Sequence, residues 1–359
     1  MKLLSALAKL PSRIFLSGGS ALQLYNRQTL SEPVLLLLEG DLADAARCFD
    51  PVSYLRSSSF DAIAHLENHS LYIRCCEQLP PADEDAFHFD VQRQCFIDRS
   101  GIYPQLRKKL LPGKVSDINK WFHAIFSIAH IPFSAPPQLL ESIRNFPSSQ
   151  TFDVDSQRIL LRLILSGAYA DTALSLLSDA GWIDALWPEI AAMQHTAQGK
   201  SEHPEGNVWD HSLEALKYRK IYDLRLSMAV LLHDIGKPES ESTPQHRFHL
   251  HADIGAKISS RLLRSLGFPE SFVQDTSWLI KYHSIPGALE RLPAHRSNPI
   301  MENPLFPLLL ELYRCDLSAT FRGPENYYRA CAVYRKFLKL NKNPFRDTSG
   351  KKLLNLLVE

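Results

Sequence analysis

The residues best suited to chemistry gather in the second half of the chain. Leu226, Ala229, Val230 and His233 recur at i, i+3, i+4 and i+7, so His233 continues the core-facing stripe of a helix that the Gly236-Lys237-Pro238 stop ends just beyond it. A histidine on such a face is ordinarily a satisfied core residue. Here Asp234 follows directly, and a buried carboxylate must be paired or coordinate a cation to offset its desolvation. One helix upstream, Val208, His211 and Ala215 share one face of residues 207–218, which holds His211 inward. His251 opens a helix with apolar positions Ile254, Ile258 and Leu262, His283 closes the run 278–283, and Asp316 follows Leu312-Tyr313-Arg314-Cys315 on another helix. Neutral imidazoles and carboxylates together form a mixed N/O donor set suited to Mn²⁺, Fe²⁺, Co²⁺, Ni²⁺ or Zn²⁺ and less to Ca²⁺; spacing does not choose among them.

Positioning such a cluster takes several packed helices, and the pattern supplies them. From about Val115 onward the apolar period is helical: Trp121, Ile125 and Ile128 fall at i, i+4 and i+7, and Leu160, Leu161, Ile164 and Leu165 share a stripe. Helices run on from there, punctuated by Gly181, Pro188, Pro204, Pro238, Pro269 and Pro286. The first hundred residues differ. Apolar β-type runs at 13–16, 33–38, 71–75 and 88–97 alternate with turn signals at Gly18-Gly19, Glu39-Gly40-Asp41, Pro80-Pro81 and Arg99-Ser100-Gly101, which predicts a small α/β unit. The expected fold class is α+β, with a head over 1–112, a helical neck and body over 113–195, a helical metal-binding domain over 196–335 and a short tail over 336–359.

The bulk numbers bound the function. With 359 residues, 45% apolar content and a formal charge of +1, the chain buries a sizeable core and lacks long-range electrostatic steering toward nucleic acid. RNA affinity would therefore rest on local patches such as Arg107-Lys108-Lys109, which otherwise read as a solvated face. No run approaches the ~18–20 apolar residues that span a bilayer, so no membrane partner is expected. The opening segment 1–10 reads as a short helix rather than a secretory leader. Six cysteines with no C-x-x-C spacing point to free thiols and a cytoplasmic location.

His211, His233-Asp234 and Asp316, in that order on separate helices, match the H…HD…D signature of the HD superfamily. The stretches 202–211, 231–237 and 247–256 resemble the HD domain of bacterial CCA-adding enzymes, the class II tRNA nucleotidyltransferase and poly(A) polymerase family. Residues 174–190 are similar to that family's body, 122–143 to its neck helix, and 14–19 to the first strand and Gly-Gly turn of its nucleotidyltransferase head. The resemblance implies a divalent-metal-dependent phosphohydrolase, a phosphodiesterase or phosphatase acting on phosphomonoesters, 2′,3′-cyclic phosphates or nucleotides. Its metal would be Mn, Ni, Co, Fe, Mg or Zn, bound by His211, His233, Asp234 and Asp316 and extended by His251 and His283 to one or two ions. Asp234 takes the catalytic role, and Lys237 and Arg314 neutralise phosphate charge. tRNA or another RNA is the expected macromolecular partner.

The head departs from the family. The Asp-x-Asp that holds Mg²⁺ there falls on Glu32 and Val34 in one register and on Pro33 and Leu35 in the other. Gln23-Leu24 replaces the Arg-Asp after the Gly-Gly turn. The neck's Glu-Asp-x-x-Arg is approximated by Ser116-Asp117-Ile118-Asn119-Lys120, in which lysine does not replace a bidentate arginine. The chain ends soon after 343–352, near where the family continues into its last helices. The expectation is a head that keeps the fold and has lost nucleotidyl transfer. The alternatives are a non-catalytic RNA- or nucleotide-binding protein and a tRNA nucleotidyltransferase that adds CCA.

Overall fold

The computed structural model describes residues 2–57, 59–78, 87–147, 152–197, 206–240 and 248–340, which fall into two compact units, Met1–Leu186 and Trp187–Glu359. The stretches 202–205 and 247 of the HD resemblance, the turn at Pro80-Pro81 and the tail 341–359 lie outside the described residues.

The first unit opens with helix α1 (Lys2–Leu7), strand β1 (Ile14–Ser17), helix α2 (Gly18–Tyr25) and strand β2 (Val34–Glu39). Helix α3 (Leu42–Cys48) and strands β3 (Val52–Tyr54), β4 (Ala62–Leu66), β5 (His69–Cys76), β6 (Phe87–Asp90) and β7 (Cys95–Asp98) complete a seven-stranded sheet of order β3-β4-β5-β2-β1-β6-β7. β1 lies antiparallel to β2 and β6, while β2 runs parallel to β5. Val34 to Leu38 are all buried, as expected of a central strand covered on both faces. The run 88–97 is a hairpin rather than one strand: β6 and β7 pair from Phe87↔Asp98 to Asp90↔Cys95, with Gln94 at φ 53 in the turn. The short β3 escapes the pattern because its residues are half-buried or exposed and show no alternation.

Helices α4 (Tyr103–Arg107), α5 (Ile118–His130), α6 (Pro137–Arg144), α7 (Val154–Leu165), α8 (Ala170–Asp179) and α9 (Trp182–Leu186) follow. The expected neck helix over 122–143 is two helices, because Pro132, Pro136 and Pro137 interrupt the backbone ladder between them. Asp117 caps α5 by accepting from the Lys120 amide. The buried face of α5 carries Trp121, whose ring lies 4.9 Å from that of Trp182, with Phe152 stacked 5.0 Å from Trp182. The strand-rich head and residues 113–186 of the neck and body thus share one compact unit, while 187–195 fall in the second.

The second unit is helical: α10 (Pro188–Ala191), α11 (Val208–Lys217), α12 (Leu224–Leu232), α13 (His251–Ser265), α14 (Glu270–Tyr282), α15 (Ala294–Met301), α16 (Phe306–Ser318) and α17 (Glu325–Leu340), with 3₁₀ turns at Ala192–His195 and Ile285–Ala288. The α+β class is met: a mixed sheet unit is followed by one whose elements among the described residues are helices. No helix among the described residues is long and apolar enough to cross a membrane.

Candidate metal centre

Five helices of the second unit, α11, α12, α13, α14 and α16, bring side chains to one place. Asn207 caps α11 by accepting from the Asp210 amide, which sets His211 in the helix's first full turn. Asp223 caps α12, whose last residues hand over to His233 and Asp234. The turn 234–237 then closes against the start of α13 so tightly that a Cβ on Gly236 would meet the His251 carbonyl oxygen at 2.1 Å. That contact brings His251 beside Asp234, and α14 ends on His283.

Nδ1 of His233, His251 and His283 lies 2.9, 2.9 and 2.7 Å from the carbonyl oxygens of Val230, Phe248 and Ile280. A carbonyl only accepts, so each Nδ1 carries the proton and each Nε2 presents a lone pair to the interior. Those lone pairs converge. Nε2 of His251 and of His283 are 3.3 Å apart, and buried His233 Nε2 has no hydrogen-bond partner among the described residues. Asp234 stands between two groups: its Oδ2 is 3.2 Å from His233 Nε2 and 4.0 Å from His211 Nε2, and its Oδ1 is 3.5 Å from His251 Nε2 and 3.9 Å from His283 Nε2. Asp316 Oδ1 lies 3.0 Å from His211 Nε2 and 3.8 Å from His233 Nε2.

Two facing imidazole lone pairs 3.3 Å apart repel unless a cation lies between them, and the carboxylates supply compensating negative charge. The donor set therefore fits divalent metal ions. His211, His233 and Asp234 form one triad of ligand atoms, Asp234, His251 and His283 a second, and Asp234 is common to both. Ionisation agrees with this. Burial opposes charge on Asp234, but Lys237 and His233 outweigh it and hold the carboxyl well below its ordinary range; Asp316, also desolvated, is held low by His211 and His233. Burial and the neighbouring His233 push His283 down to about 4, so it stays neutral.

Lys237 reaches the cluster, with Nζ 2.5 Å from Asp234 Oδ2 and its ammonium over the Phe248 ring. Arg314 does not, which corrects its assignment to phosphate charge. Two residues before Asp316 on α16, it points away to buried Glu311, with Nε 2.7 Å from Oε2, and to the Tyr218 carbonyl. Gly236, read from the sequence as part of a helix stop, also lets the turn close on the His251 carbonyl.

In the head, the Gly-Gly turn faces rings rather than acids. A Cβ on Gly18 would lie 2.3 Å from His123 Nδ1 and one on Gly19 2.0 Å from the Phe126 ring, so these glycines admit α5. β2 supplies no acid among its inner residues, and Glu32 before it receives a 3.3 Å hydrogen bond from Ser70. Among the described residues, the groups of three metal-ligating side chains all lie in the helical unit. Among the described residues the Gly-Gly turn therefore does not fit a two-ion centre. Beside Gly18 opens a cavity of about 730 Å³ edged by Lys114, Lys120 and His123, and burial with the Arg74 charge pushes His123 down to about 4.

Residues 208–316, from the helix of His211 to Asp316, match the HD domain family. The A-adding tRNA nucleotidyltransferase of Deinococcus radiodurans is 26% identical over 328 residues, 78% of this chain and 72% of that protein. The chain carries an HD domain and is similar to the tRNA nucleotidyltransferases. The CC-adding enzyme of Thermus thermophilus is 30% identical over 214 residues, 55% of this chain; that match spans about half of the relative, 46% of its length. A crystal structure of the Bacillus stearothermophilus CCA-adding enzyme with CTP covers 94% of this chain and 81% of its own at 15% identity and a TM-score of 0.46. These relatives overturn the reading of the chain as an HD-type phosphohydrolase, phosphodiesterase or phosphatase with a phosphoester substrate and a lost transferase. They are named for nucleotidyl transfer to tRNA. The HD domain is present without that activity being assigned to it.

Proposed function

We propose that this chain acts on the 3′ end of tRNA as a nucleotidyltransferase, taking its nucleotide from a nucleoside triphosphate. The single observation that carries this reading is the similarity to an A-adding tRNA nucleotidyltransferase over 78% of the chain. The cavity beside Gly18 supports it: about 730 Å³ suits a nucleotide, and Lys114 and Lys120 offer charge to phosphates. Lys114 and Lys120 line that cavity and are the residues on which transfer should depend. In the same reading the HD domain binds one or two divalent ions through His211, His233, Asp234, Asp316, His251 and His283, with Lys237 balancing Asp234 in the absence of metal. Incubating the protein with Mg²⁺, labelled ATP or CTP and tRNA ending one, two or three nucleotides short tests this directly. Template-specific extension that is weakened in Lys114→Ala/Lys120→Ala supports it. Retention of tRNA without extension reduces the protein to a tRNA binder, and failure to bind tRNA overturns the reading.

A further inference from the structure

A second charged cavity, of about 760 Å³, lies on the outer side of the HD domain between α13 and α14. Lys257, Arg261 and Arg264 follow one another at four and three residues along α13, and Lys281 faces them from α14. All four are exposed. Arg264 is bound to Glu270 at 2.7 Å and Lys281 lies 3.7 Å from Asp253, but Lys257 and Arg261 form no ion pair among the described residues. Glu239 and Asp253 also line the cavity, so cations outnumber acids four to two. Half-buried Trp278 forms part of the wall, its ring 5.1 Å from Tyr282, and Ser260 and Ser277 share a 2.6 Å hydrogen bond across the two helices.

The geometry points to this groove as a binding surface for single-stranded RNA, with Lys257 and Arg261 on successive phosphates and a base against Trp278. The rise of a helix sets those two cations about 6 Å apart along the axis, matching a ligand that carries one charge per repeating unit. An aromatic wall beside such cations is the arrangement that holds unpaired nucleotides, because every base has a face to stack while the cations follow the backbone. An acidic peptide would use the cations but leave Trp278 without a role. The proposal deepens the tRNA reading above and rests on it for the identity of the RNA.

Fluorescence anisotropy with a labelled tRNA transcript and, separately, a labelled single-stranded RNA oligonucleotide tests it across a salt series. The double variant Lys257→Ala/Arg261→Ala should weaken binding and lower the slope of log K against log[salt] by about 1.4, two contacts at about 0.7 each. Trp278→Ala should cost between about fivefold and about 150-fold in affinity at an unchanged slope, with Trp278→Phe recovering part of it. Unaltered helix content and metal content verify that each variant is folded. Wild-type affinity and slope in all variants for both RNAs overturn the proposal while leaving the tRNA reading intact. A wild-type protein that binds neither RNA also overturns it. Binding of the oligonucleotide that depends on these residues, without tRNA extension, sustains the groove and refutes only the transferase reading. Poly-glutamate binding that the variants lose while RNA binding persists identifies an acidic protein partner and overturns the proposal.

Discussion

The Gly18-Gly19 turn of the head and the His233-Asp234 turn of the HD domain are both places where a strand or helix ends on a short motif, yet their surroundings are opposite. Around Gly18 and Gly19 the space a side chain would need is filled by the rings of His123 and Phe126. Around Asp234 it is lined by the Nε2 atoms of four histidines and a second carboxylate. A motif read along the chain says which atoms are available; the packing says whether they are turned toward a ligand or used up in the fold. In the HD domain three Nδ1 protons are committed to backbone carbonyls, which leaves three lone pairs for a cation. The head shows no comparable set of inward donors among the described residues.

The sharpest way to break this contrast is to remove the shared ligand. Asp234→Ala should abolish metal binding at both triads, so elemental analysis of the purified variant should fall from one or two ions to near zero, whereas Glu32→Ala in the head should leave metal content unchanged. Chelation of wild type should lower its Tm. The loss approaches about 4 kcal/mol if the ion is present at about a thousand times its dissociation constant. A chelator that shifts nothing would remove the argument from facing lone pairs.

The two glycine contacts come next in size. Gly236→Ala drives a Cβ against the backbone oxygen of His251, which cannot rotate away, and should lower both stability and metal affinity. Gly19→Ala meets a side-chain ring instead, so it should cost about 1–3 kcal/mol in denaturant unfolding with metal content unchanged, and Phe126→Ala in the same chain should recover part of that cost. Equal effects of the two glycine variants on metal content would erase the distinction between the regions.

A pH titration sharpens the comparison from the head's side. Burial pushes His88 down to about 3, and burial with Arg74 pushes His123 to about 4, against an ordinary value near 6.5. Both stay neutral in the folded state while the unfolded chain takes up protons. Their stabilisation is therefore complete above pH ~6.5 and is lost as pH falls toward about 4 and 3, at up to about 1.4 kcal/mol per pH unit for each histidine. Urea unfolding of His123→Gln should show a shallower loss in that window. The smallest effect is at a helix cap: Asn207→Ala should cost about 1 kcal/mol through loss of its bond to the Asp210 amide, with metal affinity falling only as far as His211 is loosened.

Much of the HD domain was legible because its donors sit on helices, where the 3.6-residue period fixes the face of each side chain. His233 falls on the stripe of Leu226, Ala229 and Val230, all buried as that spacing requires. The apolar character of Val34 to Leu38 likewise told that no acid pair would lie on β2. The one neck helix that the resemblance implied over 122–143 is two helices, because Pro132, Pro136 and Pro137 interrupt the backbone ladder.

Sequence alone determined which residue types were present, their helical phase and the order of the donors along the chain. Only the tertiary structure decided that Lys237 turns to Asp234 whereas Arg314 turns to Glu311, that Gly236 closes on the His251 carbonyl, and that two imidazoles on α13 and α14 meet at 3.3 Å. The physical reason is range. Phase and capping are set within four or five residues of the backbone ladder, but the distance between His251 and His283 depends on the packing of two helices whose meeting residues are 32 positions apart.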